Sequence, residues 1–183
     1  MSEEMLVCHC SPTLAGLKTG SLFSCPYSSQ KMIIKEIREF NQKLTQKGIR
    51  IIPVRISDKR MLVYVYRPEK LKEDFSDEKT QIILKCKGYD CTNLSQCICR
   101  LIQKLQSDPD FPHEIGLFLG YPAEDVKGFI ENKAACSKCS GCWKVYGDEQ
   151  AARILFKKYK KCTDIYCRRW KSGVAVEQLT ITI

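Results

Sequence analysis

Three cysteines at a fixed spacing, in the run Cys136-Ser137-Lys138-Cys139-Ser140-Gly141-Cys142, are the residues of this chain best placed to do chemistry. A C-x-x-C loop lets two sulfurs reach one ion while backbone N–H groups turn toward them, and two such loops run end to end here. The spacing fits the first three ligands of an iron–sulfur cluster, but the fourth Cys and its Pro do not follow. A fourth ligand would come from Cys162 or Cys167, or the position would be exchangeable. A second arrangement pairs Cys139 and Cys142 with Cys162 and Cys167 across 19 intervening residues, the spacing of a four-cysteine zinc site. It requires a helix break near Thr163, because positions five apart on a continuous helix point about 140° apart. Unligated cysteines, or a redox dithiol of Cys139 with Cys142, remain open beside the metal readings.

A second candidate is Cys10. Met5 to Cys10 alternates as a short strand does, and Ser11-Pro12 reads as an N-cap followed by a first-turn proline. That junction would put Cys10 at a helix N-terminus, where the macrodipole favours a thiolate, with His9 or His113 as acid–base partner. The plainer alternative is that Cys8 and Cys10 are small core residues and that both histidines make structural hydrogen bonds.

The third feature is charge. Of a formal net +9, the segment Arg153 to Lys171 carries +7, from Arg153, Lys157, Lys158, Lys160, Lys161, Arg168, Arg169 and Lys171 against Asp164. Such a face suits an anionic partner, or is simply a solvated helix surface. Glu114 to Leu119 and Glu124 to Ile130, hinged at Gly120-Tyr121-Pro122, outline a helix-turn-helix. Its second segment is acidic where phosphates would lie, which argues against sequence-specific DNA reading.

The elements that must position these residues follow from periodicity and turn chemistry. Ile33, Ile37, Phe40 and Leu44 predict an amphipathic helix from Ser29 to about Gln46, stopped by Gly48. Ile49 to Ile56 and Arg60 to Tyr66 predict an antiparallel hairpin, with Pro53 forcing an edge position or a bulge. Short helices are expected over Glu69 to Phe75, from a Ser76 cap to Lys87, and from Asn93 along the stripe Leu94, Cys97, Ile98, Leu101, Ile102 and Leu105. Gly16, Gly20 and the cluster from Ser24 to Ser29 break the pattern into a loop, Pro109 to Pro112 reads as a linker, and Trp143 to Tyr146 as a short strand. A helix from Asp148 to Lys161 should be interrupted at Cys162-Thr163-Asp164, and Glu177 to Ile183 alternates as a final strand.

With 183 residues, 44% of them apolar, the chain is expected to form one α+β domain over 1–183, with a cysteine-rich segment at 136–167. A mainly antiparallel sheet would be covered by the Ser29, Asn93 and Asp148 helices. No run approaches the apolar length of a membrane helix and no secretory leader is visible, so a cytoplasmic location without membrane contact is expected. In that reducing compartment 12 cysteines read as core residues, metal ligands or reactive thiols rather than disulfides. No Walker loop, dinucleotide fingerprint or nucleophile elbow is present.

The segments from His9 to Gly16, Leu62 to Pro68 (LVYVYRP), Pro112 to Ile130 (PHEIGLFLGYPAEDVKGFI) and Cys142 to Asp148 (CWKVYGD) resemble an uncharacterised family of small cytoplasmic proteins from anaerobic, largely clostridial, bacteria, known as a domain of unknown function. The resemblance implies a single domain and carries no activity. From the residues themselves, the expected function is metal or iron–sulfur binding with an accessory redox role, with ligands drawn from Cys136, Cys139, Cys142, Cys162 and Cys167 and either an iron–sulfur cluster or zinc as cofactor. A thiol enzyme using Cys10, and a non-enzymatic module binding an anion through the basic face, are the alternatives.

Overall fold

The first turn of the chain is helical. In a computed structural model describing residues 1–107 and 110–182, helix α1 spans Glu3–Leu14, capped by the Ser2 side chain, which accepts from the Met5 N–H. Glu3 and Glu4 in the first turn complement the helix dipole. The expected Met5 to Cys10 strand is therefore overturned, and Cys10 lies inside a helix rather than at its start. Six alternating residues fit either period. Burial of Leu6, Val7, Cys10 and Leu14 on one helical face decided between them. Pro12 sits near the end of α1, and the Ser11 hydroxyl donates to the Val7 carbonyl.

The remaining elements are β1 (Gly20–Pro26), α2 (Gln30–Leu44) with a 3₁₀ turn, β2 (Arg50–Ile56), β3 (Arg60–Tyr66), α3 (Pro68–Ser76), α4 (Glu78–Cys86), α5 (Leu94–Ser107), α6 (Ile115–Phe118), α7 (Ala123–Asn132), β4 (Cys139–Ser140), β5 (Lys144–Val145), α8 (Glu149–Lys171) and α9 (Val176–Leu179). The fold is α+β, with an antiparallel sheet, as expected. By contacts the chain forms two compact units, Met1–Glu69 with Tyr159–Ile183, and Lys70–Lys158. None of the described helices is long and apolar enough to cross a membrane.

In unit 1 the sheet order is β1-β3-β2, both pairs antiparallel. The predicted hairpin forms, and Pro53 lies on edge strand β2, where the register shifts between Pro53 and Arg55. The loop expected through Gly16, Gly20 and the Ser24 to Ser29 cluster is corrected over Gly20–Pro26 to strand β1. Its glycine, serines and cysteine concealed an alternation in which Ser21, Phe23 and Cys25 face the core. The core is closed by α1, by Ile33, Ile37 and Leu44 of α2, and by Val176 and Leu179 of α9. The Leu94–Ser107 helix, expected over the sheet, belongs to unit 2.

The expected C-terminal strand is also corrected. Val176 and Leu179, three apart, turn into the core as a helical turn, while Ile181 stays 44% exposed. Ile183, the last residue of that strand, and Pro109 of the expected linker lie outside the described residues. The Ser76 cap is displaced by one residue: Asp77 accepts from the Thr80 N–H at 2.9 Å. Helix α8 runs unbroken for 23 residues, so the interruption expected at Cys162 to Asp164 is absent. Good helix formers and continuous burial of Tyr159 and Cys162 carry it through.

Arg67, only 2% exposed, ties unit 1 together. Its guanidinium donates to the carbonyls of Thr13 (2.7 Å), Leu14 (2.7 Å), Lys47 (3.0 Å) and Ile181 (2.9 Å). The planar fork thus satisfies the last turn of α1, the turn after α2 and the C-terminal segment at once. Burial lowers its pKa, and no carboxylate among the described residues pairs with it. Arg67→Lys keeps the charge but not the fork. It is expected to lower the unfolding free energy by about 3–5 kcal/mol, because several buried carbonyls lose their donors. Urea titration checks this; a loss below about 1 kcal/mol would show the clamp to be dispensable.

Candidate functional site

In unit 1, two thiols from opposite ends of the chain meet. The buried face of α1 is set by Leu6, Val7, Cys10 and Leu14, and at 100° per residue Cys8 points about 150° from its centre. Cys8 is accordingly exposed. Cys167, on α8, is half-buried at the rim of the unit 1 core beside Tyr166 and Trp170. Their sulfurs lie 3.7 Å apart. Burial, the hydrogen bond to Cys8 and the negative charge Cys8 would carry all raise the Cys167 pKa, while Lys171 opposes them. At neutral pH Cys167 is therefore a thiol, not a thiolate. A disulfide needs an S–S distance of about 2.05 Å, so the pair stands in van der Waals contact in the reduced state.

The predicted ligands are not gathered. Cys136 is exposed at a left-handed φ of 57°, Cys139 opens β4 and is half-exposed, and Cys142 is exposed in the turn that joins β4 to β5. Cys162 is buried, its pKa pushed up to about 11 by desolvation. Because α8 is continuous, Cys162 faces inward while Cys167 reaches Cys8. Among the described residues no group of three or more His, Cys, Asp or Glu side chains is placed to hold a metal ion.

Cys10 is fully buried, and desolvation pushes its pKa up to about 12 despite Lys18 and a hydrogen bond with Ser21. It has no helix N-terminus to activate it. His9 stacks on Phe23 with ring centroids 5.1 Å apart, and His113 packs edge-on against Phe129 at 4.9 Å. The eight basic residues from Arg153 to Lys171 are all exposed on α8, and Arg153 pairs with Glu149.

Unit 2 is organised by a residue that periodicity treated only as a first-turn acid. Asp125 is 2% exposed and accepts from Trp143 Nε1 (2.7 Å) and from the backbone N–H groups of Tyr146 (2.7 Å) and Gly147 (2.8 Å). It joins the GYPAEDV and WKVYGD segments. Gly128 is required beneath them, since a Cβ there would lie 2.4 Å from the Tyr146 ring. Cys8 was equally concealed. The signal that would expose it is its position off the α1 stripe, visible only once the segment is read as a helix.

A family model described as "Protein of unknown function (DUF3793)" matches residues 6–180, and the chain belongs to that family. No curated protein and no solved structure matches it. The thiols must therefore be judged by their own chemistry, and Cys10 offers a direct check of burial. Folding holds its pKa at about 12 against an ordinary 9.0, so above pH 9.0 the unfolded chain loses a proton that the folded one keeps. Stability then falls as pH rises, by up to about 1.4 kcal/mol per unit from this thiol. Urea midpoints measured between neutral pH and about pH 10 are expected to fall less steeply in Cys10→Ala than in the parent.

Proposed function

With no activity attached to its family, we propose that the protein is a thiol-redox protein whose working pair is Cys8 and Cys167. The observation that carries this reading is the 3.7 Å sulfur separation between an exposed and a half-buried cysteine. Exposed Cys8 supplies the attacking group. Its thiolate attacks one sulfur of a small disulfide oxidant of the glutathione type, releasing one thiol and leaving a mixed disulfide. The Cys167 thiolate then attacks the Cys8 sulfur and releases the second thiol. The protein loses two electrons and two protons, and the oxidant gains both. The reverse sequence returns the pair to its thiols in a reducing cytoplasm, the location expected from the sequence.

The raised pKa of Cys167 shapes the kinetics. Its thiolate fraction is low at neutral pH and grows as pH rises, so ring closure is expected to accelerate toward alkaline pH. Closure would join α1 to α8 within unit 1 across a long loop.

The same spacing favours a second reading. Two thiolates on one tetrahedral zinc, with bonds of about 2.3 Å, stand about 3.8 Å apart, close to the separation here. That reading retains Cys167 as a ligand, replaces the Cys136 to Cys142 set with Cys8, and needs two further ligands from outside the pair.

Oxidation with excess oxidised glutathione, followed by peptide mapping, is expected to yield a Cys8–Cys167 crosslink with the loss of two hydrogens. Cys8→Ser and Cys167→Ser should each abolish it, while Cys91→Ser should not. The oxidised protein should be more stable by roughly 3–5 kcal/mol, the range for a long closed loop less any strain. If both residues stay alkylatable while other cysteines oxidise, the redox reading fails. Stoichiometric zinc in the purified protein, lost in Cys8→Ser, would favour the metal reading instead.

A further inference from the structure

Unit 2 contains a cavity of about 870 Å³, within the size range of small-molecule sites. Its polar side is anchored by Glu114, 3% exposed, which accepts from Lys104 Nζ at 2.7 Å and from the Tyr89 hydroxyl at 3.1 Å. Burial alone would raise the Glu114 pKa, but the hydrogen bonds and charge of Lys104, with the Tyr89 hydroxyl, hold it below the usual carboxylate range. Lys104 also donates to the Lys87 carbonyl at 2.8 Å, so its charge is already met within the wall.

Two other lysines on the wall are not so engaged. Lys87 and Lys133 are exposed, and among the described residues neither forms an ion pair. Asp110 is the remaining acid on the lining, so the cavity keeps a positive excess. Rings line the same cavity. His113 is exposed and packs edge-on against Phe129 at 4.9 Å, with Phe111 6.4 Å from His113.

The wall that carries Lys133 is built at conformational expense. Lys133 and Ala134 both have left-handed φ, 47° and 68°, which non-glycine residues hold only where the surroundings impose it. The surroundings here are the WKVYGD segment. Lys144 Nζ donates to the Ala134 carbonyl at 2.6 Å and the Tyr146 hydroxyl to the Ala135 carbonyl at 3.0 Å. Asp125 in turn fixes the Tyr146 backbone. A buried carboxylate thus holds a strained turn that presents a lysine to the cavity.

Free cations beside exposed ring surface select an anion that also carries a planar ring. A bare phosphate would use only the lysines, and an uncharged ring only the aromatic side. We propose that this cavity binds a phosphorylated ring compound of the mononucleotide class, its ring against His113 and Phe129 and its phosphate between Lys87 and Lys133.

Isothermal titration of the full chain with AMP, GMP, CMP and UMP tests the proposal. At least one is expected to bind in the micromolar range. The matching nucleoside and inorganic phosphate should each bind about tenfold more weakly or worse, since each lacks half of the contacts. The double variant Lys87→Gln/Lys133→Gln, and His113→Ala separately, should weaken the nucleotide about tenfold while leaving the unfolding midpoint unchanged, because all three side chains are exposed. The absence of binding by all four nucleotides at about millimolar concentration would overturn it. Equal affinity for nucleotide and nucleoside, or an unaltered affinity in the double glutamine variant, would overturn it as well.

Discussion

Unit 1 depends on a single charged side chain placed where charge is least welcome. Arg67 follows directly on central strand β3, and its guanidinium reaches four carbonyls from three separate segments. A buried cation paired with no carboxylate among the described residues is tolerable because those carbonyls include the end of α1, where the helix dipole is negative and the last carbonyls have no intrahelical donors. Lys47 Nζ, donating to the Thr180 carbonyl, and the Ile181 N–H, donating to the Leu14 carbonyl, close the same junction. The N-terminal helix that carries Cys8 is thereby held at its far end, and the C-terminal segment is locked beside it.

In unit 2 the equivalent constraint is anionic. Asp125 collects an indole N–H and two backbone N–H groups from the segment after the cysteine run. Its three donors are all neutral N–H groups. The consequence travels by contact: the Tyr146 backbone is fixed on Asp125, its ring lies over Gly128, and its hydroxyl holds the Ala135 carbonyl. Trp143 stacks on Tyr121 at 4.6 Å and meets Phe156 edge-on at 4.6 Å, so the GYP turn is packed against the same hub.

What the sequence disclosed depended on whether one face of an element was apolar. The α2 helix, the Arg50 to Tyr66 hairpin and the α5 stripe were readable because Ile33, Ile37, Val63, Val65, Leu101 and their neighbours repeat at a single period. Strand β1 was not, because its inward residues include Ser21 and Cys25, whose side chains periodicity does not score as core. Helix α1 failed for a different reason: Ser11-Pro12 imitates a helix start while serving as a helix end. The roles of Arg67 and Asp125 were beyond pattern reading, since both satisfy partners distant in sequence. The cysteine spacing was informative about ligand reach but not about direction. The C-x-x-C run opens into a small hairpin, whereas the Cys8–Cys167 contact joins residues 159 positions apart.

Burial then sorts 12 cysteines into different chemistries. Cys10, Cys25, Cys97 and Cys162 are buried with raised pKa values, so they behave as small apolar residues and contribute packing rather than reactivity. Cys97 also donates to the Asp90 carbonyl, spending its thiol on a backbone contact. Cys136 and Cys142 are exposed around the small β4–β5 hairpin. Cys8 differs because exposure coincides with a second sulfur at contact distance. In the proposed exchange the first thiol must meet an oxidant and the second need meet only the first, which suits the exposed position of Cys8 and the half-buried one of Cys167.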